Sequence, residues 1–96
     1  MIKVISKKVG GMCEVIEIEN DLKTLQSCVG GLIEFYPLKD NIDIMINEEG
    51  KISGLEPNFA FNGELFVGDA IFIATDFTTG ENMSLTDAQI DYILSM

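Results

Sequence analysis

The sequence contains no histidine, no tryptophan and no arginine, since all six basic residues are lysines. The absence of histidine excludes Ser-His and Cys-His catalytic pairs, histidine metal ligands and proton transfer by imidazole. The absence of arginine excludes the bidentate guanidinium grip on a phosphate or carboxylate group. No P-loop and no GxGxxG motif is present either. We therefore expect a non-enzymatic protein, without cofactor or metal, that binds another molecule.

Cysteine is scarce, and long apolar runs are missing. The two cysteines, Cys13 and Cys28, are too few for a disulfide framework, so we expect reduced thiols that pack as small hydrophobic side chains. No apolar run approaches the roughly 20 residues of a membrane span. Lysines also interrupt the segment 1–11, where a signal peptide would be apolar. The expected location is the cytoplasm, with no membrane partner.

Positive charge is nearly absent from the C-terminal part of the chain. Residues 1–39 contain five lysines and five acidic residues, whereas residues 40–96 contain only Lys51 against eleven acidic residues. The whole net charge of −10 therefore belongs to the second segment. Direct binding to nucleic acid is disfavoured, because it needs clustered cations that displace counterions. The acidic segment is compatible with a basic protein partner, or with solubility alone.

The length of 96 residues and the hydrophobic content of 47% predict one folded domain spanning residues 1–96. Segments rich in Ile and Val predict strands, and the last of them is a continuous apolar run typical of a central strand covered on both faces. The predicted strands lie at 2–6, 14–19, 32–38, 41–47 and 70–74. The expected fold class is α+β, with an antiparallel or mixed sheet of about five to six strands and two helices on one face.

The two helices are predicted from their ends. Asn20 is a good N-cap for a first helix over 21–29, which Gly30 would end in a left-handed conformation. A capping box that begins at Thr86 predicts a second helix over 87–95. We expect this second helix to dock on the sheet through its apolar side chains.

The segment NEEGKISGLEPN, at 47–58, holds the most suggestive cluster of acidic residues. A hairpin turn between strand 41–47 and the residues KISGL accounts for it, with Gly50 in the left-handed position. The alternative is a metal or catalytic site. A calcium loop, however, needs alternating oxygen ligands, and the isoleucines before the cluster indicate a strand instead. We therefore interpret Glu48 and Glu49 as turn residues.

The segment PNFAF, at 57–61, precedes an Asn-Gly dipeptide, which is the strongest short hairpin signal in the sequence. Its Pro-Asn pair predicts a structural corner, and its two phenylalanines predict core packing. A bent segment with two aromatic side chains also suits the stacking of a flat ligand, so both interpretations are retained.

The chain resembles a family of small proteins from phages, plasmids and Gram-positive bacteria in the order of five motifs: VGGLIEFYPL, NEEGK, GLEPN, VGDAIFIAT and SLTDAQIDYIL. This family is domain of unknown function 3846, and the resemblance covers about residues 2–94. In the family a basic residue usually follows the Pro-Asn pair, but Phe59 stands there in this chain, so no anionic-ligand role is carried over to that position. The resemblance implies a mobile-element accessory protein rather than a metabolic enzyme.

The first functional hypothesis is that the protein binds and sequesters a small host molecule as an anti-defence factor in the host cytoplasm, with a nucleotide-type signal as one candidate. Lysines, backbone N–H groups and a helix N-terminus would hold phosphates, and aromatic side chains would stack on bases. A homodimer would add concave surface to so small a domain. The candidate ligand-binding residues are Lys3, Lys7, Lys8, Lys23, Phe35, Tyr36, Asn58, Phe59 and Phe61.

The second hypothesis is an acidic protein-interaction module, or a DNA mimic, whose C-terminal half blocks a basic host protein. Such binding depends strongly on salt concentration, and neutralising Asp69, Asp76 or Glu81 is expected to weaken it. An enzyme is the last of the three classes, because the usual proton-transfer groups are missing.

Overall fold

The structure is a computed structural model that describes all 96 residues. It contains eight strands and two helices, and neither helix is long and apolar enough to cross a membrane. The elements are β1 (Ile2–Lys7), β2 (Cys13–Ile18), α1 (Leu22–Val29), β3 (Ile33–Pro37), β4 (Ile42–Asn47), β5 (Pro57–Phe61), β6 (Glu64–Val67), β7 (Ala70–Thr75), β8 (Asn82–Met83) and α2 (Asp87–Leu94).

Six of the strands form one antiparallel sheet in the order β2-β1-β7-β4-β3, with β8 paired to the end of β7. Strands β5 and β6 form a separate hairpin. The predicted α+β class and the number of strands in the main sheet are confirmed, and the sheet is antiparallel rather than mixed.

Strand β7 lies at the centre of the sheet, and all six of its residues are buried, as the apolar run predicted. Because side chains alternate along a strand, β7 contributes to two apolar clusters, one on each face of the sheet. Phe72 and Ile44 belong to the first cluster, and Ile73 and Met45 belong to the second.

The two helices pack on opposite faces of the sheet. Helix α1 covers the face of the second cluster through Leu25 and Val29, and we name it the α1 face. Helix α2 covers the other face, the α2 face, through Ile93, beside the β5–β6 hairpin, which contributes Phe66. The prediction that both helices lie on one face is therefore wrong. Because β7 is apolar on both sides, both faces of the sheet must be buried, and helices on one face alone would leave the other face exposed to solvent.

The helix ends lie where the sequence predicted them, to within one residue. The N-cap of α1 is Asp21 rather than Asn20, and its carboxylate accepts a hydrogen bond of 2.8 Å from the backbone N–H of Thr24. Gly30 ends α1 with a positive φ of 79°, as predicted. Helix α2 begins with the predicted capping box between Thr86 and its third helical residue.

The segment after β4 does not form the predicted hairpin. Residues 48–54 make successive turns, and the left-handed glycine is Gly54 with φ 72° rather than Gly50. Gly50 instead lies against strand β6, where an added Cβ would come within 3.0 Å of Val67 Cγ2. The interpretation of Glu48 and Glu49 as turn residues is confirmed.

The Asn-Gly hairpin is confirmed. Asn62 and Gly63 have φ angles of 53° and 80°, and two successive positive φ angles are what a two-residue type I′ turn requires. The preceding segment is strand β5 rather than the predicted corner. Cys13 and Cys28 are the expected free thiols, and they pack at the edges of opposite clusters.

Candidate functional site

A groove of about 720 Å³ lies on the α1 face, between helix α1 and the loop 76–81. It exists because α1 has only eight residues and spans about 12 Å, whereas the protein measures 32 by 29 Å along its two longest axes. The helix therefore leaves part of the sheet uncovered, and the groove is lined by one face of β3, by Asp43 near the start of β4 and by Thr75 at the end of β7.

The rim of the groove is apolar and exposed to solvent. Leu22 on α1, Leu32 and Phe35 at β3, and Phe77 in the loop after β7 all line the groove and are between 44% and 65% exposed. They make up four of the twelve large hydrophobic side chains that this protein exposes. A contiguous exposed apolar surface next to a concavity is typical of a binding site.

The floor of the groove contains a buried carboxylate. Asp43 on β4 is 6% exposed, and its Oδ2 accepts a hydrogen bond of 2.8 Å from Thr75 Oγ1 on β7. The Thr75 hydroxyl also lies 3.4 Å from Asn82 Oδ1, but it has one proton, and the shorter distance assigns that proton to Asp43. The other carboxylate oxygen, Asp43 Oδ1, has no hydrogen-bond partner.

Asp43 Oδ1 is the only buried side-chain nitrogen or oxygen in the protein that lacks a partner. An unsatisfied buried polar atom costs about 1–3 kcal/mol of stability, and more when it is charged. Because this oxygen has almost no accessible surface, a donor in the groove would reach it only after the Asp43 side chain turns. Asp43 and Thr75 thus form a buried pair of a carboxylate and a hydroxyl group beside the apolar groove.

The charge around the groove is negative. Asp21, Asp43 and Glu48 line it, and no lysine does. The hydrogen bond from the Thr24 backbone N–H holds the pKa of Asp21 below its usual value, so this carboxylate is ionised at neutral pH. The groove is thus an environment for cations and N–H donors rather than for anions.

The candidate residues named from the sequence do not form one cluster, and only Phe35 lines the groove. Tyr36, Phe59 and Phe61 lie on the α2 face, where they pack against the first cluster. The ring of Phe59 stacks on Phe66 and Phe72, at centroid distances of 4.9 and 5.7 Å. All three side chains are half-buried, and Phe59 and Phe61 line a separate pocket on the α2 face together with Lys7.

Asn58 lies next to Lys7, whereas the other candidate lysines are dispersed. Asn58 is a bulge in β5 that links the hairpin to β1: its Nδ2 donates to the carbonyl oxygens of Lys7 and Gly68, each at 2.8 Å, and its Oδ1 accepts from Lys7 Nζ at 2.7 Å. The backbone N–H of Lys3 donates to Ser84. The remaining two lysine side chains are exposed at separate places, Lys8 after β1 and Lys23 on α1.

The alternation in the segment 41–47 predicts a strand with its isoleucines on one face and Asp43 on the other, and it does not predict that Asp43 is buried. Strand β4 is in fact buried on both faces over its first four residues, so the acid is buried as well. Thr75 carries no comparable signal, because threonine is common in strands.

The fold defines the class of the protein as a small α+β domain, in which one antiparallel sheet carries a helix on one face and a helix with a hairpin on the other. Within that class, the chain belongs to the family described as a domain of unknown function, DUF3846, which matches residues 2–96. The family match confirms the resemblance seen in the sequence. No curated protein and no solved structure matches the chain.

Proposed function

We propose that the protein is a non-catalytic binding protein that sequesters a small molecule in the groove on the α1 face. One observation supports this proposal above the others: an almost fully buried carboxylate, Asp43, whose Oδ1 has no hydrogen-bond partner, lines an open groove with an apolar rim. A ligand would bury its apolar body against the rim and direct a polar hydrogen towards Asp43.

The size of the groove agrees with such a ligand. Pockets for small molecules usually have volumes of about 300–1,000 Å³, and this groove, at about 720 Å³, falls within that range. The side chains around it include no histidine, lysine or cysteine that could act as a base or nucleophile. In this proposal the three carboxylates of the lining, Asp21, Asp43 and Glu48, bind the ligand and do not act as general bases.

In the phage and mobile-element setting that the sequence resemblance implies, the retained ligand would be a host molecule, and its removal would act against host defence. A nucleotide would place its base in the groove, with an amino group at Asp43, and its phosphates outside, because no lysine lines the groove. This arrangement differs from the phosphate grip by lysines that the sequence suggested.

The test is a thermal-shift screen with a small-molecule library, followed by mass spectrometry of any molecule that co-purifies. A ligand at about 100 times its Kd adds about 2.7 kcal/mol of stability, which raises the Tm of a domain of this size by roughly 10–20 °C. The ligand should be recovered chemically unchanged. A library without any shift, together with an empty purified protein, would contradict the proposal.

Replacing Phe77 with serine is expected to weaken the affinity for such a ligand by about tenfold, because an apolar wall of the groove is lost. The fold should be unaffected, since Phe77 is 62% exposed. The matched control is Ile52→Ser, which removes an exposed apolar side chain in the turn 48–54, away from the groove. Isothermal titration of both variants measures the difference, and equal affinities would argue against this groove.

A second candidate function, binding to a basic host protein, has separate support. The chain has 16 acidic residues, and Lys51–Glu64 is its one salt bridge, with Nζ and Oε2 3.1 Å apart. The remaining negative charge is therefore not neutralised within the protein. Uncompensated surface charge accelerates and orients the approach of an oppositely charged partner.

Replacing Glu81 with glutamine is expected to lower the affinity for a basic host protein and to reduce its dependence on salt concentration. Glu81 is exposed and its side chain makes no hydrogen bond, whereas Asp69 accepts one from the Val9 N–H and Asp76 accepts one from the Thr78 N–H. Glu17→Gln, on β2, is the matched control. Binding measured at increasing salt should show a smaller slope only for the Glu81 variant.

A further inference from the structure

We infer that the ligand of the groove on the α1 face is an apolar cation, with an ammonium or amidinium head group that pairs with the Asp43 carboxylate. This inference rests on the proposed function and names the chemical class of the ligand. It follows from three features of the groove: the acceptor at its floor, the charge along its walls, and the aromatic rings at its rim.

The acceptor at the floor requires a donor. An ionised carboxylate accepts hydrogen bonds and donates none, and Asp43 Oδ1 is free of partners while Oδ2 accepts from Thr75. A ligand carboxylate or phosphate at this point would bring two negative oxygens together in a buried place. A positively charged N–H group would instead form a charge-assisted hydrogen bond and neutralise the buried charge.

The charge on the walls of the groove also favours a cation. Asp21 and Glu48 add two carboxylates, and no positively charged side chain opposes them. The N-terminus of α1 also lies at the groove, and free N–H groups there would attract an anion. The Asp21 carboxylate, however, already accepts from the Thr24 N–H and places a negative charge at that end of the helix, which weakens the attraction for an anion.

The rim adds two aromatic rings. Phe35 and Phe77 both line the groove, and both are exposed, by 44% and 62% respectively. An aromatic face attracts a cation placed over it, and it also stacks on a flat apolar body. An aromatic amidine or an arylalkyl amine combines a body for these rings with a head group for Asp43.

The test uses three probes of nearly identical shape that differ in charge and in donors: benzamidine, benzamide and benzoate. Each is titrated into the ¹⁵N-labelled protein, and the Kd is measured from amide chemical shifts. The expected result is that benzamidine shifts the amides around Asp43 and binds at least about tenfold more tightly than benzamide. Benzoate should cause no shift at these positions.

Two isosteric variants then assign the preference to one carboxylate. Asp43→Asn should reduce the affinity for benzamidine to that for benzamide, whereas Glu49→Gln, an exposed carboxylate outside the groove, should leave the affinity for benzamidine unchanged. The comparison of the three probes on the unaltered protein does not depend on either variant folding.

The outcomes separate this inference from the proposed function. If benzamide or benzoate binds at the groove as tightly as benzamidine, the inference that the ligand is a cation is wrong, while the groove would still be a binding site. A preference for benzamidine that persists in Asp43→Asn would also overturn the inference, because the cation would then be held elsewhere. If none of the three probes binds and no compound of the library shifts the Tm, both the inference of a cationic ligand and the proposed function are contradicted.

Discussion

Replacing Phe66 with alanine is expected to destabilise the protein by about 3–5 kcal/mol, which is the usual cost of removing a buried aromatic side chain. Phe66 is 1% exposed and is the largest of the fully buried side chains. Its ring stacks on Phe59 at 4.9 Å and meets Tyr36 edge to face at 5.1 Å. The substitution therefore removes one of the main contacts that hold the β5–β6 hairpin on the α2 face, beside the Phe59–Phe72 stack and the Asn58–Lys7 hydrogen bonds.

The expected loss is a large part of the total stability of a small domain, about 5–15 kcal/mol. Urea denaturation followed by circular dichroism measures it, provided that the slope m stays unchanged. Phe77→Ala is the matched control, because it deletes the same ring at an exposed position and should cost under about 0.5 kcal/mol. A loss below about 1 kcal/mol for Phe66→Ala would mean that the hairpin does not depend on this ring.

The elements that the sequence predicted best are those whose signals are local. The capping box of α2, the Asn-Gly turn and the left-handed Gly30 each depend on a few adjacent residues, and the structure contains all three. The positions of α1 and α2 on opposite faces depend on how distant strands pair. No local pattern of charge or period specifies that pairing.

The apolar run AIFIA did indicate that the sheet is covered on both faces. It did not indicate what the cover is. On the α2 face a helix and a hairpin supply it, whereas on the α1 face a single helix of eight residues does. The uncovered part of the α1 face is the groove, so the candidate site depends on the length of α1 as much as on any single side chain.

The sequence-based choice of ligand residues relied on residue type, which cannot distinguish a core aromatic from an exposed one. Phe35 and Tyr36 are adjacent in β3 and point to opposite faces, so one lines the groove and the other packs against Phe66. Asp43 could be recognised only after β4 was known to be buried on both faces. A polar residue that disagrees with its surroundings in this way is typical of a functional site.

Replacing both Asp43 and Thr75 with valine is expected to stabilise the protein by about 1–3 kcal/mol, because a buried carboxylate with one unsatisfied oxygen, and the hydroxyl group bonded to its other oxygen, are exchanged for apolar groups. In a domain of this size each kcal/mol raises the Tm by roughly 4–8 °C. Valine also suits both positions, since it is favoured in strands. The double variant should lose the ligand while it gains stability, which is the behaviour of a residue retained for binding.

Thr75→Val alone should have the opposite effect and destabilise the protein, because it leaves both oxygens of the buried Asp43 carboxylate without a partner. The two variants share the valine at position 75, so the difference between their melting temperatures isolates the effect of the carboxylate. If the double variant is destabilised as much as Thr75→Val, removing the Asp43 carboxylate brings no gain in stability, so its unpaired oxygen costs the fold nothing. In that case its unpaired oxygen no longer indicates that the groove binds a molecule.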